Sequence, residues 1–104
     1  MESVDLIYAP RAQRDLLELP KKNAEQIIND HDLLKTRPWP TAKVKKIKGH
    51  PYWELKTGDY RSLFVVEQGA IVFLRIVNRK DLENAIKRID LKTLRLWLID
   101  KGQR

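Results

Sequence analysis

The run Ile71-Val72-Phe73-Leu74-Arg75-Ile76-Val77 constrains this chain more than any other segment. It is almost wholly apolar, which predicts a central strand rather than an edge strand. Gln68-Gly69 turns this strand back from another over residues 60–67. Gly58-Asp59 is a second tight turn, and before it residues 52–57 alternate. Trp53 and Leu55 face one side there, Glu54 and Lys56 the other. Gly49-His50-Pro51 is a third turn. Strands joined by such short turns form an antiparallel meander.

The flanks read differently. Val4, Leu6 and Tyr8 alternate, predicting a first strand over residues 4–8. Pro10 opens a helix at its first turn, where a missing N–H costs nothing. That helix reaches about Glu18, with Ala12, Leu16 and Leu19 on one stripe, and Pro20 punctuates it. A second helix spans residues 20–35, with Ala24, Ile27, Ile28, His31 and Leu34 at helical spacing. Pro38-Trp39-Pro40 ends the helical region. After Arg79 the helical period returns through Leu82, Ala85, Ile86 and Ile89. Asp90 breaks or recaps it before Leu91, Leu94 and Leu98. The expected architecture is α+β. A strand and a helical hairpin pack on one face of a twisted antiparallel sheet, and a C-terminal helix follows.

A chain of 104 residues supports one domain, 1–104. Residues 90–104 form a C-terminal helical extension too apolar for a free tail. It suits packing on the sheet, a homo-oligomer contact, or a groove for a partner's helix. With no cysteine, disulfides and thiolate metal sites are excluded, and two histidines make a poor zinc site. No apolar run is long enough to span a bilayer, and an acid stands where a signal peptide carries basic residues. The expectation is a cytoplasmic protein with no membrane partner.

The net charge of +7 is uneven. Residues 35–61 hold eight basic side chains against two acids, Glu54 and Asp59, so they carry six of the seven excess charges. Such a concentration suits a polyanion, although a merely solvated basic face is the blander account. Lys43, Lys45, Lys46 and Lys48 are the side chains expected to contact phosphates if that polyanion is a nucleic acid. Trp39, Tyr52 and Tyr60 lie among these charges. An exposed ring there stacks a base, whereas a buried one is core. Trp53 is assigned to the core, His31 to helix packing and His50 to its turn.

Three local motifs in this order resemble the RelE/ParE toxin superfamily of type II toxin–antitoxin systems. They are Tyr8-Ala9-Pro10-Arg11-Ala12-Gln13-Arg14-Asp15-Leu16, then Ile47-Lys48-Gly49 followed by Trp53-Glu54-Leu55-Lys56-Thr57-Gly58-Asp59-Tyr60-Arg61, and Arg75-Ile76-Val77-Asn78-Arg79-Lys80-Asp81. The resemblance covers about residues 4–86. It implies a RelE-like fold, a cognate antitoxin that wraps around the toxin, and no cofactor or metal. RelE-like members cut mRNA on the ribosome; ParE-like members poison gyrase.

On the RelE/HigB-like side, the resemblance implies an mRNA endonuclease in which Lys56, Arg61 and Arg79 brace the reacting phosphate, with Tyr60 among the RNA contacts. Glu83 falls where such nucleases carry a catalytic tyrosine, and it joins the candidate catalytic set as an acid or base. Glu54 stands where active members carry a basic residue, and Asn78 where many have histidine. Two readings of Arg61 stay open: a phosphate clamp, or a structural partner of Glu54 or Asp59. Arg75 is assigned to a structural salt bridge. The departures at Glu54 and Glu83 leave a ParE-like gyrase inhibitor and a degenerate partner-binding member as alternatives.

Overall fold

The structure, a computed structural model, describes residues 4–102. Strand β1 (Asp5–Tyr8) leads into helices α1 (Pro10–Leu17) and α2 (Lys21–His31). A 3-10 turn, Asp32–Lys35, extends α2. Four strands follow: β2 (Val44–Lys46), β3 (Trp53–Thr57), β4 (Tyr60–Glu67) and β5 (Ala70–Asn78). A 3-10 turn over Arg79–Asp81 then leads to α3 (Leu82–Arg88) and α4 (Leu91–Gly102). The strand order is β1-β5-β4-β3-β2.

The α+β architecture agrees with expectation, and three details differ. First, β1 pairs with β5 in parallel, Leu6 opposite Ile71 and Tyr8 opposite Phe73, so the sheet is mixed. Alternation in a strand carries no information about its direction. Second, the three-residue strand β2 pairs with β3, Val44 opposite Leu55. It contains two lysines and is too short to show a period of two. Third, helices cover both faces rather than one.

The double cover follows from β5. One core cluster joins Ala12, Ile27 and Leu34 of the helical hairpin to Leu55, Phe64, Ile71, Phe73 and Ile76. The other joins Leu63, Val65, Val72, Leu74 and Val77 to Ala85 of α3. Leu82, Ile86, Leu91, Leu94 and Leu98 pack against this second cluster. Each deeply buried aromatic or branched side chain removed from these layers costs about 2–5 kcal/mol. The turn between β4 and β5 uses Gln68 and Gly69 at φ of 50° and 80°. Two positive φ values in a two-residue loop match the right-handed twist of the strands it joins.

A proline and one side-chain cap mark helix boundaries. Pro20 separates α1 from α2 and biases the residue before it away from helix. Asp90 recaps α4: its carboxylate accepts from Thr93 N (3.1 Å) and Thr93 Oγ1 (2.8 Å). Those bonds lower the Asp90 pKa. Arg95 then ties α4 to Glu67 at the end of β4 (3.1 Å).

Two buried polar groups lock the layers. The Asp15 carboxylate on α1 is 7% exposed. It accepts from Arg75 Nε (2.8 Å) and Nη2 (3.3 Å) and from the Ile76 backbone N–H (2.9 Å). The last register pair of β1 with β5 is Tyr8 with Phe73. Beyond it that edge of β5 has no strand, and Asp15 supplies the missing acceptor. Arg75 is therefore structural, as expected. His31 is fully buried, stacks on Phe73 at 3.8 Å between centroids, and hydrogen-bonds Ser62 Oγ at 2.7 Å and the Tyr8 hydroxyl. Burial pushes its pKa down to about 4, against opposing pulls from Asp30 and Asp32, and pushes Tyr8 up to about 12.

Two measurements check this account. Asp15→Ala strands a buried N–H and a guanidinium, so chemical denaturation should show a loss of about 3 kcal/mol. A loss below 0.5 kcal/mol, the ordinary surface effect, would contradict it. For His31, the unfolded chain binds its proton near pH 6.5 and the folded chain only near pH 4. Stability is thus full above pH 6.5 and falls as pH drops toward 4, by an amount on the order of 3 kcal/mol. His31→Gln, which cannot titrate, should flatten the curve between pH 6.5 and 5.

Candidate nucleic-acid interface

On the face that carries α3 and α4, the sheet divides in two. Leu63, Val65 and Val72 lie beneath the helices. Toward the Gly58-Asp59 turn, the same face presents Lys45, Glu54, Lys56 and Arg61. Register brings these together: Lys45 is opposite Glu54 on β2 and β3, and Lys56 is opposite Arg61 on β3 and β4. The alternation that sends Leu55 and Phe64 into the first core cluster sends these four to the other side.

Arg61 is held firmly. Its Nη1 donates to the carbonyls of Gly58 (2.9 Å) and Tyr60 (3.0 Å), and its Nε lies 3.3 Å from Glu54 Oε1. Both side chains of this pair are 13% exposed. Of the two readings left open for Arg61, the ion pair with Glu54 is therefore present. It fixes the guanidinium plane, while Nη2 makes no hydrogen bond among the described residues. Lys56 beside it is half-buried and in no ion pair among the described residues.

Arg79 joins this end of the sheet through the same turn. Its backbone N–H donates to Asp59 O (2.8 Å), and its guanidinium lies 3.9 Å from the Asp59 carboxylate, with both side chains largely exposed. Asn78 Oδ1 accepts from Lys80 N (3.1 Å) and caps the 3-10 turn. Glu83 is exposed in the first turn of α3. A carboxylate there favours the helix dipole.

The remaining candidates scatter. Tyr60 packs against the first core cluster, on the face opposite Lys56 and Arg61. Tyr52 is buried in the second cluster. Lys43 turns back to Asp30 of α2 (2.7 Å), where Thr57 Oγ1 also donates (2.8 Å). Lys46 Nζ donates to His50 O (2.8 Å), while Lys45 and Lys48 are exposed. Two contributions escaped the sequence reading. The first is Asp15, although its place beside Ala12 and Leu16 on α1 put it on the buried stripe. The second is the stacking of Arg37 on Trp39, 4.2 Å from guanidinium carbon to ring centroid. Among the described residues no cluster of three or more His, Cys, Asp or Glu could hold a metal ion. No helix among them is long and apolar enough to cross a membrane.

The Arg61–Glu54 pair predicts a stability signature. Arg61→Ala leaves the Glu54 carboxylate shielded and unpaired, and should cost about 2 kcal/mol after allowance for partial solvent access. Adding Glu54→Ala should recover most of that loss in denaturation experiments. Equal stability of the single and double variants would show that the pair does no structural work.

No protein-family model and no curated protein matches this sequence. Solved structures do match it. The RelB–RelE antitoxin–toxin complex of Methanococcus jannaschii aligns at 26% identity over 74% of this chain and 94% of that one, with a TM-score of 0.60. The archaeal RelE–RelB complex of Pyrococcus horikoshii OT3 aligns at 24% identity over 75% and 97%, with a TM-score of 0.64. A doubly substituted E. coli toxin RelE in the free state aligns at 20% identity over 86% and 100%, with a TM-score of 0.68. The chain therefore shares the fold of these RelE toxins.

Proposed function

We propose that this protein is the toxin of a type II toxin–antitoxin pair and that it cleaves mRNA on the ribosome without a metal. The observation that carries this reading is the gathering of Lys56, Arg61 and Arg79 at the Gly58-Asp59 end of a RelE-fold sheet. Cleavage of this kind needs the 2′-hydroxyl to attack the adjacent phosphate. A base takes that proton, cations stabilise the phosphorane, and an acid protonates the leaving 5′-oxygen. The Arg61 guanidinium, oriented by Glu54 and the turn carbonyls, offers its Nη2 edge to a phosphate oxygen. Lys56 adds an unpaired charge beside it, and Arg79 reaches the leaving-oxygen side. Glu54 and Glu83 are the carboxylates available as base and acid. Lys43, Lys45, Lys46 and Lys48 supply charge that holds the RNA without reading its sequence.

A cognate antitoxin is the expected partner, because two of the structural relatives are complexes with RelB. Exposed apolar surface supports a protein partner as well. Leu17 and Ile28 are 85% and 44% exposed beside a groove of about 600 Å³ along β1. Leu96 and Ile99 stand exposed on α4, where self-association is the other use of the surface. Acting on ribosomes, the protein works in the cytoplasm.

One observation favours a second reading, a non-cleaving toxin that inhibits gyrase as ParE does. Glu54 places a negative charge against Arg61, in the middle of the would-be phosphate site. Expression without antitoxin, followed by primer extension on mRNA, separates the two. The nuclease reading predicts growth arrest with codon-phased cuts. Arg79→Ala and Arg61→Ala should each reduce the cuts about a hundredfold. Arrest with intact mRNA and induced DNA damage would replace it with the gyrase reading, and absence of arrest would overturn both.

A further inference from the structure

Beside β2, on the face opposite Lys56 and Arg61, Arg37, Pro38, Trp39, Thr41, Val44 and Trp53 line a pocket of about 480 Å³. Its aromatic wall is built in place. The Trp39 ring meets Trp53 edge-on at 5.0 Å and Phe64 at 5.5 Å, and its Nε1 donates to Leu34 O at 3.1 Å. Arg37 lies over the Trp39 ring and remains exposed. Lys46 is in register with Trp53 across the sheet edge. The surrounding segment, residues 35–48, holds six basic residues and no acid. Ion pairs engage only two of these, Lys35 with Asp32 and Lys43 with Asp30, among the described residues.

We propose that this pocket binds one nucleobase of single-stranded RNA outside the reacting site. The base lies against the Trp39 and Trp53 wall and stacks on the Arg37 guanidinium, while Lys45 and Lys46 take the flanking phosphates. The argument is one of combined chemistry. An apolar pocket alone accepts any small hydrophobe, and a lysine cluster alone attracts any polyanion. A rigid indole wall rimmed by cations with no acid between them fits a flat, apolar ring carried on an anionic chain. The strand β2 is the sheet edge, with Lys45 and Lys46 on opposite sides of it. An RNA strand crossing this edge therefore reaches both the pocket and the Lys56–Arg61 corner. The inference rests on the RNA-acting reading for its ligand class alone.

The test uses the full chain without ribosomes and a labelled oligouridylate 12-mer, followed by fluorescence anisotropy. The wild type should bind, and Arg37→Ala and Thr41→Glu should each weaken binding by about fivefold or more. Both positions are exposed, so the fold is spared. Lys87→Ala, which removes one exposed charge from α3, should change binding less than twofold. With 5-bromouridine in the strand, photocrosslinks should map to Trp39 or Trp53. Absent wild-type binding, equal losses in Lys87→Ala, or crosslinks confined to other residues would overturn the pocket. Tighter binding of a deoxythymidylate 12-mer would overturn its assignment to RNA. Codon-phased cutting in cells is scored independently, so failure here and failure of the nuclease reading are distinguishable.

Discussion

Ile71, Val72, Phe73, Leu74, Ile76 and Val77 are each at most 8% exposed, so β5 has two apolar faces and requires a layer on each. The helical hairpin supplies one layer and α3 with α4 the other. At about 25 cal/mol per Å² of apolar surface, this burial is the main term available to a chain of this size. A strand buried this way still has a polar backbone on both edges. One edge pairs with β4 from Ala70 to Asn78, with a register shift at Leu74; the other pairs with β1 only as far as Phe73. Asp15 completes that second edge and orients Arg75 at the same time, coupling the hairpin to the strand through directional bonds rather than through apolar contact alone.

The same arrangement creates the functional surface. The helices that follow β5 pack on Leu63, Val65, Val72, Leu74 and Val77 of the second face. Toward the Gly58-Asp59 turn, alternation puts Lys45, Lys56 and Arg61 on that same face, with Lys45 exposed, Lys56 half-buried and Arg61 mostly shielded. Chain continuity then places Arg79, the first residue after β5, at this end. The cationic corner thus follows from strand register and chain continuity. Glu54 modifies it: the ion pair that orders Arg61 also lowers the local positive charge. Order and charge trade against each other at this one residue.

Much of this was legible in the chain. The apolar run, the three turns and the two helical stripes carried strong periodic signals, and their order matched the architecture. The apolar run marked β5 as central, yet the expected cover on one face did not follow its full implication: a run without polar alternation has two faces to bury. The parallel pairing of β1 was not legible, since strand direction depends on the crossover and leaves no mark on alternation. β2 hid because a valine and two lysines carry no period. At the site, register explains both outcomes. Lys56 and Arg61 share a face because two residues per period on paired strands leave no other arrangement. Tyr60 is adjacent to Arg61 in sequence and for that same reason lies on the opposite face. The engagement of Arg61 by Glu54 was an open alternative until cross-strand geometry was known.

The central claim concerns chemistry at the Lys56, Arg61 and Arg79 corner, and the ends of the cut RNA report on it most directly. Purified protein would be incubated with ribosomes carrying a defined mRNA, with a chelator present, and the fragment termini analysed by mass spectrometry. Attack by the 2′-hydroxyl predicts a 2′,3′-cyclic phosphate on the upstream fragment and a free 5′-hydroxyl on the downstream one. Intact mRNA, or fragments bearing a 5′-phosphate, would contradict the account.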